Sequence, residues 1–292
     1  MFDQKVMKPI SPTSPPSLTE MLRSLRQSSG DSKLRRLASL SRPYHGPFRS
    51  ISSTTPRRMS FSDELRDQVA GILKGGWSVR DGRDVPTLEN IGLQDNDACE
   101  IDASVLYADM VGSSLIVDSF SARAAAAVYK AYLKCACAII RRNDGAVTAF
   151  DGDRVMAVFH GDRKNTRAAI CGLQLNFAVS KIVNPEWIRR NNVKAVLTPI
   201  KHVVGIDTGK LFVAKTGIRN ANDLVWVGSA ANVAAKLSDL RSKLDVVWIT
   251  KSVLDALAPD AKQSRDGKLM WYRNLGSVER RSVYYSHWTW RP

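Results

Sequence analysis

The stretch from Ser104 to Phe159 constrains the fold more than any other part of this chain, because its breaks are as informative as its apolar runs. Val105 to Tyr107 is an apolar run of strand character. It breaks at Ala108-Asp109 and passes through Gly112-Ser113-Ser114 into an Ala-rich helix, Ser121 to Arg141, which Asn143-Asp144-Gly145 stops. Val147–Phe150 and Val155–Phe159 then flank Asp151-Gly152, a favoured tight-turn dipeptide, so the pair reads as a hairpin with Asp153 at its tip. A Gly-Ser-Ser loop that runs into a helix can turn backbone N–H groups toward phosphates. Asp109 and Asp153, one at each predicted turn, could hold a pair of Mg²⁺ or Mn²⁺ ions, which neutralise a triphosphate and lower the pKa of an attacking hydroxyl. The competing reading is two solvated turn aspartates, since Asp is a default turn residue.

The rest of the chain supplies alternating helices and strands. Ser62 to Lys74 reads as a short amphipathic helix with Ser62 as N-cap and Gly75-Gly76 at its end. Asp81 to Asp97 is loop-like and acidic. The Ser121–Arg141 helix is apolar nearly all round, which predicts burial against a sheet. A second helix, Asn165 to Val183, is expected to stop at Asn184-Pro185. Strands near His202–Ile206, Leu211–Ala214 and Val246–Thr250 alternate with a helix at Ala230–Arg241, and Ser282–Trp288 closes the chain as a β segment. That order predicts an α+β sandwich, divided into an arm (1–60), a helix with a lead-in loop (61–102) and a main domain (103–292).

Composition narrows the function classes. No apolar run approaches the roughly 18–20 residues that cross a bilayer, so a membrane-integral helical protein is not expected. Cys99, Cys135, Cys137 and Cys171 form no disulfide framework and suit packing thiols in the reducing cytoplasm. The four histidines lack metal-ligand spacing. Of the net charge of +15, residues 1–60 carry +8, from eleven Lys/Arg against three acids, with thirteen Ser and seven Pro. This is the composition of a disordered basic arm, able to attract nucleic acid or an acidic membrane surface. It has few aromatics for stacking bases, and a translation start at Met59 is an equal alternative.

Four blocks in order, SVLYADMVGSS (104–114), GAVTAFDGDRVMAVF (145–159), GIDTGKLFVAKTG (205–217) and DLVWVGSAANVAAKL (223–237), resemble the class III nucleotidyl cyclase catalytic domain over Ala103–Ser286. The resemblance implies a ferredoxin-like βαββαβ core with helices on a mostly antiparallel sheet. It also implies two Mn²⁺ or Mg²⁺ ions at Asp109, Met110 and Asp153, and a phosphate loop at Val111, Gly112, Ser113 and Ser114. Asn232 would orient the ribose and Lys236 would stabilise charge on the transferring phosphate, with Lys standing where the family usually has Arg. Lys keeps the charge but loses the bidentate fork. A further cation for the leaving phosphates is expected from Arg280 or Arg281. In this family the metal carboxylates and the Asn–Lys pair meet only across a head-to-tail homodimer with composite sites.

Purine cyclases carry Lys or Glu four residues before the hairpin aspartate, and here that position is Ala149, which cannot hydrogen-bond a base. Tyr107, Arg154 and Asp223 remain as base-recognition candidates. The wording of the motifs is similar to the Pycsar antiphage pyrimidine cyclases, which implies UTP or CTP as substrate, with UTP favoured because uracil offers two acceptor oxygens to a donor such as Arg154. A purine cyclase and an inactive nucleotide-binding module are the remaining alternatives.

Overall fold

The computed structural model describes residues 59–91, 96–191, 200–218 and 221–292. The basic arm expected at 1–60 lies outside these residues apart from its last two positions. Helix α1 (Phe61–Lys74) is capped by Ser60, not Ser62, because the Ser60 hydroxyl is the group that reaches the backbone N–H of Asp63. Strand β1 (Ser78–Asp81) pairs in parallel with the start of β2 (Asp97–Val111), so the 61–102 segment contributes to the sheet as well as leading into it.

Asp109 lies inside β2 and not at a turn, which corrects the strand break expected at Ala108-Asp109. The reason is the neighbour: β5 (Lys201–Ile218) pairs with β2 from Ala98↔Ala214 to Val111↔Lys201 and carries the strand past the aspartate. β5 is likewise one strand where two were expected. Its polar middle, Asp207 to Lys210, pairs with Val105 to Asp102 instead of turning.

Helix α2 (Ser113–Ser119) and helix α3 (Ala122–Arg142) follow β2. α3 buries one face, Ala125, Val128, Tyr132, Ala136, Ile139 and Ile140, so it is amphipathic and not apolar all round. β3 (Ala146–Asp151) and β4 (Arg154–His160) form the expected hairpin, and Gly152-Asp153 are its turn. Helix α4 (Lys164–Ala178) runs through a π-helical turn, Val179–Val183, into α5 (Asn184–Asn191). The expected stop at Pro185 is absent: the helix continues through it, and the π-helical turn just before it interrupts the regular i→i−4 ladder where the proline lacks an N–H.

β6 (Ala221–Val227) pairs with β5 off the main strand order, and α6 (Ser229–Ser238) follows it. Beyond are β7 (Val246–Thr250), α7 (Lys251–Asp255), α8 (Pro259–Lys262), β8 (Tyr272–Val278) and β9 (Arg281–Ser286). The sheet order is β3-β4-β2-β5-β7-β9-β8, antiparallel except where β1 joins β2 and β7 joins β5. The unit β2-α3-β3-β4-α4-β5 is therefore a βαββαβ core of ferredoxin-like order, and the α+β expectation holds.

Alternation along β2 sorts its side chains. Leu106 and Ala108 pack with α3 and α4 on one face, while Val105 and Tyr107 pack with Ala230, Ala231 and Ala234 of α6 on the other. Each fully buried Leu or Ile contributes about 1.5–3 kcal/mol. α6 lies so close to β5 that a Cβ on Gly205 would come within 2.2 Å of the Ala234 carbonyl oxygen, which only glycine permits.

Candidate active site

The end of β2, the β3–β4 turn and the chain just after α6 converge on a cleft of about 440 Å³. It is lined by Asp109, Met110, Gly112, Ser113, Ser114, Asp151, Gly152, Asp153, Arg154 and Arg241. Asp109 reaches it from the α6 side of β2 and is only 5% exposed. Its Oδ2 accepts from Arg241 Nη2 at 2.8 Å and from Arg154 Nη2 at 3.4 Å. Arg154 is also ion-paired with Asp239. Asp153 enters from the hairpin turn, where Gly152 takes a left-handed conformation, φ 60°. One carboxylate oxygen of Asp153 is buried without a hydrogen-bond partner. Burial pushes its pKa up and the nearby charge of Asp109 adds to this, while a hydrogen bond with Ser113 acts against both. Gly112, also left-handed at φ 73°, turns the chain from β2 into α2.

These donors fit a hard divalent cation. An unsatisfied carboxylate oxygen on Asp153 lies beside a second carboxylate, and Met110 has a buried side chain that leaves its carbonyl as the group a hard cation would use. Among the described residues no cluster of three or more His, Cys, Asp or Glu side chains could cage a metal alone. A cation held there would need further oxygen ligands from water or a bound phosphate, as Mg²⁺ sites commonly do.

The structure thus brings Asp109, Met110, Asp153, Gly112, Ser113, Ser114 and Arg154 together. Val111, the other phosphate-loop candidate, is in β2 and does not line the cleft. Tyr107 is half-buried one strand pleat away, where its hydroxyl lies 3.1 Å from the Met156 sulfur. It packs in one cluster with Ala149, Leu224 and Trp226. Asp223 is on the exposed side of β6, with its carboxylate bonded to the N–H of Leu224, and it borders a separate depression with Thr216 and Asn222. Asn232 and Lys236 share the exposed face of α6, Lys236 is ion-paired with Glu279, and neither lines the cleft within one chain.

The last hairpin does not line this cleft within one chain. Arg281 is ion-paired with the fully buried Asp207 and donates to Ser229 Oγ at 3.0 Å, so it holds strands together. Arg280 occupies the left-handed turn before β9. Beside Arg154 the cleft holds a second cation, Arg241, which sequence reasoning passed over. It follows a helix end and donates to the Ser238 carbonyl at 2.5 Å, an ordinary C-terminal capping position with no motif to mark it.

No family model matches the chain. Curated relatives do. The uridylate cyclase of Xanthomonas perforans is 45% identical over 234 residues, 80% of this chain and 99% of that protein. The uridylate cyclase of Burkholderia cepacia is 42% identical over 233 residues, 80% of this chain and 99% of that protein. Among solved structures, the guanylyl cyclase Cya2 superposes with a TM-score of 0.53 at 18% identity, over 64% of this chain and 91% of that one. The adenylyl cyclase CyaB from P. aeruginosa gives 0.53 at 19%, over 65% and 94%. The distant structures establish the fold and the close relatives the family: the chain belongs to the family of these uridylate cyclases, carries the class III nucleotidyl cyclase fold, and is a nucleotidyl cyclase.

Proposed function

We propose that the chain converts UTP to 3′,5′-cyclic UMP and pyrophosphate, as a second-messenger synthase in cytoplasmic antiphage defence. The observation that carries this reading is the pair Asp109 and Asp153 flanking the Gly112–Ser114 loop in one cleft. Relatives named uridylate cyclase support the choice of base, as does the cluster of Tyr107 with Ala149, which offers bulk and no purine-reading side chain.

In this mechanism Asp109, Asp153 and the Met110 carbonyl would hold two divalent cations, Mn²⁺ or Mg²⁺, which would supply charge neutralisation and lower the pKa of the ribose 3′-hydroxyl. Backbone N–H groups of Gly112 to Ser114 take the phosphates, and the short α2 that follows fixes that loop. Asn232 and Lys236 come from a second subunit, since neither reaches the cleft of its own chain. Asn232 orients the ribose, and Lys236 stabilises charge on the α-phosphate. The 3′-oxygen bonds to the α-phosphorus in line as the bond to pyrophosphate breaks, and the catalytic work is positioning and electrostatics. Tyr107 and Arg154 limit the base to a single ring. CTP is the second reading, resting on Asp223 as acceptor for the cytosine amine. The outward position of Asp223 on β6 favours UTP.

The test is incubation of purified protein with each of the four ribonucleoside triphosphates and Mn²⁺, with chromatography of the products. Cyclic UMP is the expected main product, and Asp109→Asn or Asp153→Asn is expected to lower its rate by at least about a hundredfold. Faster turnover of ATP than of UTP and CTP would sink the pyrimidine reading.

A further inference from the structure

The departing pyrophosphate gains negative charge as its bond to the α-phosphorus breaks, and a fixed cation beside it is what a phosphoryl-transfer site needs most from its protein. We infer that Arg241 is that cation: it sits on Asp109 in the free protein and transfers to the β- and γ-phosphates when metal takes the carboxylate. The inference rests on the nucleotidyl cyclase reading of the cleft and deepens it.

Four observations lead there. Arg241 lines the same cleft as Gly112, Ser113 and Ser114, so it faces the loop proposed to take the phosphates. Its grip on Asp109 is a single contact from Nη2, while Nη1 is tethered to the Ser238 carbonyl. Losing the carboxylate to a metal therefore leaves a guanidinium held in place by the end of α6, with its other donors available. Its side chain is 42% exposed, against 25% for Arg154. Arg154 keeps a second carboxylate, Asp239, when Asp109 is taken, so it has less reason to move.

Of the other cations, Arg281 neutralises buried Asp207 and Lys201 pairs with Asp245 at 2.6 Å, and Lys236 is already assigned to the α-phosphate from a second subunit. A guanidinium also suits the task chemically, because its planar fork can take two phosphate oxygens together. The arrangement implies an exchange: until metal arrives, the positive charge of Arg241 compensates Asp109. Metal and Arg241 then compete for one carboxylate but cooperate once a polyphosphate is present.

The experiment uses the full-length protein and inorganic tripolyphosphate as probe, with no nucleoside to recognise. Tripolyphosphate binding in Mg²⁺ is measured by calorimetry, and Mn²⁺ binding without polyphosphate by electron paramagnetic resonance. Arg241→Gln retains an amide donor for the Ser238 carbonyl and so protects the helix end. It is expected to weaken tripolyphosphate at least about tenfold while Mn²⁺ binding stays equal or tightens. Arg241→Lys is expected to fall between it and the wild type. Unchanged tripolyphosphate affinity in Arg241→Gln overturns the inference, as does a parallel loss of Mn²⁺ binding, which would make Arg241 a prop for the metal site. A wild type that cyclises UTP but binds tripolyphosphate as well as Arg241→Gln refutes this assignment alone. One that forms no cyclic pyrimidine yet shows the tenfold loss refutes the substrate reading alone.

Discussion

Both ring nitrogens of His202 are buried without a hydrogen-bond partner, beneath the cleft and edge-on to the equally buried Tyr132. Burial holds the imidazole neutral and lowers its pKa from 6.5 to about 4. The sign follows: between these two values the unfolded chain binds a proton that the folded chain refuses, so stability is full above pH 6.5 and is lost as pH falls toward 4. The slope is up to about 1.4 kcal/mol per pH unit. His202→Met, apolar and of similar reach, is expected to flatten this part of the stability curve, read by urea denaturation at steps from pH 7 to pH 4. An unchanged slope would mean that the histidine titrates freely. At this scale, legibility depended on whether a residue belonged to a local pattern. Asp153 and the Gly-Ser-Ser loop stood out because turn chemistry is local. Arg241 and His202 owe their significance to partners far away in sequence, Asp109 for the first and burial against Tyr132 of α3 for the second.

Asp207 shows what an element can demand of its neighbours. It lies at the centre of β5, fully buried. One carboxylate oxygen accepts from Thr250 Oγ1 of β7 at 2.6 Å, and the other is paired with Arg281 of β9. A charge taken out of water this far is tolerated only with its partners, and removing one partner leaves it uncompensated. Arg281→Ala is therefore expected to cost about 3–5 kcal/mol of folding free energy, measured by chemical denaturation. The double variant Asp207→Asn with Arg281→Ala is expected to recover part of that loss, because the buried charge is gone. Equal stability of Arg281→Ala and the wild type would show that Asp207 is not held by this pair. The same residues explain why β5 was misread: Asp-Thr-Gly-Lys has turn chemistry, and only pairing to β2 and charge pairing to β9 make it strand. Pro185 was misread for a related reason. A proline breaks a regular helix it sits inside, but the π turn just before it already interrupts the i→i−4 ladder there.

For the whole molecule, the proposed division of the site between two subunits sets the sharpest expectation. Asp153→Ala and Asn232→Ala should each be inactive alone, and mixing them should restore activity, because one of the two sites in a heterodimer keeps both halves. The measurement is cyclic nucleotide formation after mixing, with subunit exchange verified separately; verified exchange without rescue would count against a composite site. The sequence by itself determined the α+β class, the hairpin and the family, since these depend on periodicity, turn residues and ordered motifs, all short-range along the chain. Only the tertiary structure decided that Asp109 is a strand residue flanked by two guanidiniums. The same holds for Arg281 pairing with buried Asp207 and for Arg241 lining the cleft beside Gly112, Ser113 and Ser114. Burial and charge pairing act through space between segments far apart in sequence, and no local pattern encodes which distant partner a side chain will meet.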